Sequence, residues 1–220
     1  GSMCPSYQAT HDERNTTRGR ANTLREFISK PGGKNHFDHP EIYEILDLCL
    51  SCKACKSECP SSVDMAKLKG EFLQHWYDAH GIPFRTKIIA NITTLNKIGS
   101  FWPGLTNTFL RNKGFGKALK KISGFAADRS LPEISAESTN KWAKRNLLRI
   151  NPSDKSFKSE VCLFVDEFTD YNDANIGITA IKLLSALGYR IIIPPASQSG
   201  RSYISKGLIR TARKIEIGRA

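Results

Sequence analysis

The apolar positions of this chain follow two different rhythms. From residue 17 to about 127 they recur at three- and four-residue intervals, the period of a helix face. The spacing predicts a helix over 17–29, with Asn15 or Thr16 as its cap and Pro31-Gly32-Gly33 as its stop. A second helix is expected from Asp38 as N-cap, with Pro40 in its first turn and Ile42, Ile45 and Leu46 as its stripe, running straight into residue 49. A third, capped by Ser61 or Ser62 and ending before Gly81, carries Met65, Leu68, Phe72 and Trp76 as plain core packing. Residues 79–127 read as short helical pieces broken at Gly99, Pro103, Gly104, Gly114 and Gly116.

From about residue 158 the rhythm changes. Val161-Cys162-Leu163-Phe164-Val165 is a short apolar run, the mark of a buried strand, with Cys162 as a small core residue. A polar turn over Asp166–Tyr171 then precedes a helix from Asp173 that bears Ile176, Ala180, Leu183, Leu184 and Leu187. Gly188 ends it, and Tyr189–Ile193 makes a second strand before Pro194-Pro195. Strand, helix, strand in that order predicts a parallel pair. The loop 197–201 leads to a last helix through Ile204, Leu208 and Ala212. The fold class is therefore α+β: a helical part over 1–82, a basic helical linker over 83–157 and a partial α/β (βαβα) part over 158–220. Two strands and two helices do not cover both faces of a parallel sheet, so the chain reads as a segment of something larger.

Composition adds limits. The 220 residues are 40 % hydrophobic and 25 % charged, near the globular average, which excludes wholesale disorder. No apolar run is long enough to span a membrane, and the first residues lack the basic and apolar regions of a secretory signal. The net charge is +12. Eight lysines and arginines and no acidic residue fall within 79–127, interleaved with Phe101, Trp102, Phe109, Phe115 and Phe125. The expected arrangement packs these rings on the preceding helices and leaves the basic tips in water. A docking face for a partner or an anionic membrane is the next reading, and no motif supports nucleic acid.

The cysteines decide more than the charge. Four of the six lie within eleven residues, as Cys49-x2-Cys52-x2-Cys55-x3-Cys59-Pro60, and Cys4 also precedes a proline. A disulfide scaffold suits a small secreted chain, zinc prefers two separated pairs, and a redox dithiol needs one Cys-x2-Cys. The run here is the one that holds iron–sulfur clusters. Two-residue spacers let one loop offer three thiolates to three irons, and the fourth ligand comes from elsewhere. Cys49, Cys52 and Cys55 with Cys4 would hold one 4Fe–4S cluster, leaving Cys59 for a second cluster or as a spare thiol. In the second-ranked arrangement Cys59 closes the cluster and Cys4 is free. Helix, cysteine loop, helix is a helical ferredoxin-like layout. Lys53 and Lys56, flanking the loop, would favour the reduced cluster by charge.

The stretch Met3–Tyr7, the pairs Asp12-Glu13 and Thr17–Asn22, the cysteine run and Val63-Asp64-Met65 together resemble the iron–sulfur part of large bacterial FAD-linked oxidoreductases. These are relatives of D-lactate and D-2-hydroxyglutarate dehydrogenases and of glycolate oxidase iron–sulfur subunits. Asp128–Pro132, Phe164–Tyr171, Ser199-Gly200-Arg201 and Ile204–Leu208 fit the same resemblance. It implies a flavin domain or subunit upstream that oxidises a D-2-hydroxy acid, with FAD held there. No Gly-rich dinucleotide loop follows a strand in this chain, so FAD or NAD is not expected to bind it, and no catalytic residue is assigned. The resemblance also implies an upstream cysteine group for a second cluster, and the basic excess suits an electron acceptor that is an acidic redox protein or a membrane quinone pool. The expected location is cytoplasmic, with 79–127 as a peripheral contact on the inner membrane surface. Related heterodisulfide-reductase-like domains carry Cys-Cys-Gly where this chain has Gln198-Ser199-Gly200, so that chemistry is not carried over. Ser199, Gly200 and Arg201 fit an anion-binding turn or an ordinary helix cap. The competing functional class is a zinc-stabilised basic module that binds nucleic acid or scaffolds a complex.

Overall fold

Pro5 opens the first helix where its missing N–H costs nothing, and the chain then turns back on itself within a dozen residues. The computed structural model describes residues 4–29, 37–151, 157–195 and 198–217. These form two compact units, one from 1–90 with 200–218 and one from 91–199. Among the described residues the first unit holds helices and no strand: α1 (Pro5–Thr10), α2 (Thr17–Ser29), α3 (Pro40–Asp47), α4 (Ala54–Glu58), α5 (Met65–His80), α6 (Phe84–Ala90), and from later in the chain α13 (Arg201–Ser205) and α14 (Ile209–Ile217).

Local chemistry sets the helix ends. Asp12 accepts from the Arg14 N–H at 2.9 Å and starts a 3-10 turn over Glu13–Asn15. Thr16 Oγ1 then accepts from the Gly19 N–H at 2.9 Å and caps α2 over the predicted range. Glycine is required at 19, since a Cβ there would lie 2.4 Å from the Glu13 carbonyl oxygen. The cap of α3 is His39, not Asp38, and that of α5 is Asp64, not Ser61 or Ser62, because Asp64 accepts from the Lys67 N–H at 3.0 Å. The stop 31–33 lies outside the described residues.

The core of this unit joins Leu24, Ile42, Leu46, Met65, Phe72, Leu73 and Tyr77 to Tyr203, Leu208 and Ala212. The final stripe expected on one helix is thus split between α13 and α14, and it packs against α5. Gly207 makes the break, with φ +73° and its position against Leu73 closing out any side chain. Leu68, expected in the stripe of α5, is exposed, while Lys69 and Gly70 are buried.

The second unit holds α7 (Ile92–Gly99), α8 (Pro103–Arg111), α9 (Lys113–Ser123), α10 (Thr139–Ile150), β1 (Glu160–Cys162), α11 (Glu167–Tyr171), α12 (Ala174–Ala186) and β2 (Arg190–Ile192). β1 and β2 pair in parallel, with Val161 opposite Ile191, as the strand–helix–strand order requires. Thr139 is wholly buried between α10 and α12, where Gly177 leaves room for its methyl and hydroxyl. With one small sheet among many helices, the class is α+β.

Four expectations are corrected in this unit. Gly104, Gly114 and Gly116 lie inside helices, because Pro103 starts α8 and the Asn112 side chain caps α9 by accepting from Gly114 and Phe115 N–H. Asp166–Tyr171 is a cap and a helix rather than a turn, with Asp166 accepting from the Thr169 N–H at 2.8 Å. Cys162 is exposed, since a two-stranded sheet alternates its side chains and here buries only one face. Phe101 and Trp102 are 70 % and 73 % exposed, and Phe109 and Phe115 about half, so the rings do not pack away as expected.

Candidate functional site

The cysteines of interest all belong to the first unit. Cys4 is the residue before α1, Cys49 and Cys52 lie in the loop from α3 to α4, Cys55 is in α4, and Cys59 follows its end. All are free, Cys52 exposed and the other four partly buried. The short α4 between Cys52 and Cys59 has no amphipathic signature and is invisible to periodicity.

Backbone strain gathers here. Among the described residues, the non-glycine positions with positive φ are His11, Ser51, Lys53 and Ser62. Ser51 and Lys53 flank Cys52, and Ser62 lies just beyond Cys59. Each costs energy that surrounding structure must hold in place, and such outliers collect at functional sites.

Three bonds tie the amino terminus to the start of the cysteine loop. Ser6 Oγ donates to the Leu48 carbonyl at 2.5 Å. Arg20 Nε donates to the Ile45 carbonyl at 3.1 Å, and its Nη1 reaches Cys4 Sγ at 3.3 Å. Cys4, 45 residues from Cys49 in sequence, is thereby anchored to the end of α3 just before it. From the other side, Lys69 Nζ donates to the Cys49 carbonyl at 2.7 Å and to the Asp47 carbonyl at 3.2 Å.

These contacts shape the electrostatics. Burial pushes the Cys4 thiol up, but the Arg20 guanidinium and the hydrogen bonds from Ser6 and Tyr7 outweigh it and hold the thiol below its ordinary value. A thiolate is the form that binds iron. Burial holds the Lys69 ammonium below its usual value, against the pull of Cys49 and Asp47. Asp64 is also partly buried, which raises its carboxyl, yet the Lys67 N–H with Lys53 and Lys56 carries it below the usual range. Lys53 and Lys56 lie 3.4 Å and 3.7 Å from that carboxylate. Their charge is shared with Asp64 and with water.

The donor set suits a thiolate-held, negatively charged group. Arg20 Nη2 is buried without a hydrogen-bond partner beside a cysteine sulfur, a donor that lacks an acceptor. Among the described residues, no three His, Cys, Asp or Glu side chains converge as one metal ion needs.

Arg20 and Lys69 were missed as site residues. Their signal was positional: Arg20 precedes Leu24 by four residues and Lys69 follows Met65 by four, each on the apolar face of its helix. In the Ser199-Gly200-Arg201 turn, Ser199 N–H and Oγ both donate to the buried Glu167 carboxylate at 2.9 and 2.7 Å. That arrangement favours the structural reading of the turn. Among the described residues, no helix is long and apolar enough to cross a membrane.

Residues 1–63 match the 4Fe-4S dicluster domain family. The whole chain is similar to curated D-2-hydroxyglutarate dehydrogenases at low identity. It is 24 % identical to that of Escherichia coli (strain K12), covering 96 % of this chain and 25 % of that protein. The Pseudomonas putida protein is 22 % identical over 99 % of this chain and 25 % of its own length. The Pantoea ananatis protein is 24 % identical over 96 % and 25 %. The chain therefore spans about a quarter of the length of the curated relatives it matches. No solved structure matches it. The iron–sulfur resemblance of the sequence holds, and nothing favours the zinc alternative.

Proposed function

We propose that this chain is the iron–sulfur electron-transfer segment of a flavin-dependent D-2-hydroxy-acid dehydrogenase. Cys4, Cys49, Cys52 and Cys55 hold one 4Fe–4S cluster, and Cys59 is left for a second cluster or as a spare thiol. When bound, such a cluster accepts and passes single electrons. The protein supplies the thiolates, holds the start of the loop through the Lys69 bond to the Cys49 carbonyl, and partly excludes water. The observation that supports the reading is the Arg20 side chain, which reaches the Cys4 sulfur and the Ile45 carbonyl together and so ties the Cys4 segment to the end of α3, ahead of the loop that carries the other three cysteines.

The relatives named for D-2-hydroxyglutarate oxidation support a substrate of that class, such as D-2-hydroxyglutarate, D-lactate or glycolate. FAD belongs to a flavin domain or subunit outside these 220 residues. The acceptor is an acidic redox protein or a membrane quinone pool, and the basic, acid-free sequence 79–127 is the part of the chain suited to a peripheral contact with it.

Anaerobic purification tests the core of this reading. The expected result is a brown protein with broad visible absorbance and matched iron and acid-labile sulfide per chain. A colourless protein carrying stoichiometric zinc overturns it.

A further inference from the structure

Two buried cations lie beside the candidate cysteines, and among the described residues neither is ion-paired with a carboxylate. Arg20 is 1 % exposed and Lys69 is 6 % exposed. Their donors go to the Cys4 sulfur and to the Ile45, Asp47 and Cys49 carbonyls, with Arg20 Nη2 left over. Around them the field is more positive still. Arg20 and the half-buried Lys206 both work against the charge on Lys69, and Arg85 works against that on Lys206. Asp47, at the exposed end of α3, offsets them in part.

Burying a cation without a counter-charge is among the costliest arrangements a fold can adopt. Carbonyl dipoles reduce the cost without removing it. The site therefore calls for an anion on the cysteine side. The Cys4 thiolate supplies one, and a cluster held by four thiolates is net negative in both of its working states. Lys53 and Lys56 do not play this part, being at least half exposed and shared with Asp64.

We infer that Arg20 and Lys69 are positioning residues for the cluster, holding the Cys4 and Cys49 ends of its ligand set by charge and raising its midpoint potential. The inference rests on the electron-transfer reading above. Adding an electron makes the cluster more negative, so a fixed, desolvated cation beside it favours the reduced state. Removing that cation lowers the potential.

The test uses the full chain, reconstituted anaerobically, with iron and sulfide counted and the midpoint potential read by an EPR-monitored redox titration. Arg20→Met and Lys69→Met are each expected to shift the reduced-to-oxidised ratio about tenfold toward oxidised, a fall of about 59 mV for one electron. Arg20→Lys and Lys69→Arg keep the charge and should stay near the unaltered protein. A Met variant with full iron and an unchanged potential overturns the inference. Where a Met variant takes up no cluster, its charge-conserving partner decides: a loaded partner supports the role of charge, and an equally empty one overturns it. An unaltered chain that binds zinc, or no cluster at all, instead overturns the electron-transfer reading before any variant is compared.

Discussion

Cys4 and Cys59 each stand one residue before a proline, and sequence alone ranks them only by an exchange rule. The structure gives them different surroundings. Cys4 has a buried guanidinium at 3.3 Å and a thiol held below its ordinary value, whereas Cys59 ends a five-residue helix. Cys4→Ser is therefore expected to remove most of the iron of the cluster, and Cys59→Ser to leave that cluster largely loaded. Iron and sulfide counted per chain check this, and the reverse order of damage sinks the ligand assignment. A second residue-scale prediction concerns Tyr77. Its phenol is buried and pushed up to about 12, a rise that a hydrogen bond from Thr86 only moderates. The neutral phenol is thus favoured by folding. Its contribution is complete below the unfolded value of about 10 and is lost between about 10 and 12, at about 1.4 kcal/mol per pH unit. Denaturant midpoints should fall more steeply across that window for the unaltered protein than for Tyr77→Phe.

At the scale of elements, the legible parts were those whose chemistry is local. α2 lies over the predicted range because its cap at Thr16 is contiguous in sequence, and the strand–helix–strand order fixed a parallel pair. Misread parts were set by partners far along the chain. Lys69 belongs to α5 yet is buried because it caps the end of α3, more than twenty residues earlier. The final stripe broke in two because Gly207 must pass Leu73 of α5 closely; a Cβ at 207 would lie 2.3 Å from the Leu73 Cβ. In the cysteine loop the metal-ligand spacing was readable, while the strain at Ser51 and Lys53 was not, since neither residue type announces positive φ. Gly207→Ala combines a left-handed backbone with that contact, so it should destabilise the first unit by about 2 kcal/mol or more. Urea unfolding followed at Trp76, which packs on this core, measures it. An equal midpoint for the two proteins would mean that the α13–α14 turn is not closed against α5.

Over the whole molecule, the two units rest on different foundations. The first has the larger apolar core and all five cysteines of the candidate site. The second has a small core around Ala143, Ile181 and Ile191, and it leaves Ile98, Phe101, Trp102, Ile122, Leu148 and Ile176 more than 60 % exposed. A group that binds only the folded first unit adds its binding free energy to that unit's stability. The chain carries a reporter for each: Trp76 beside the first core and Trp142 beside the second. With Trp102 and Trp142 replaced by Phe, the emission of Trp76 follows the first unit. With Trp76 and Trp102 replaced, Trp142 follows the second. Removing the iron by chelation under reducing conditions should lower the unfolding midpoint seen by Trp76 clearly and leave that seen by Trp142 within error. Equal shifts at both reporters would show one cooperative block, and the cluster would then stabilise residues 91–199 as well as the unit that holds its ligands. An unmoved Trp76 transition would mean that the cysteines and their buried cations are already compensated without metal, and the argument from unpaired charge would fail with it.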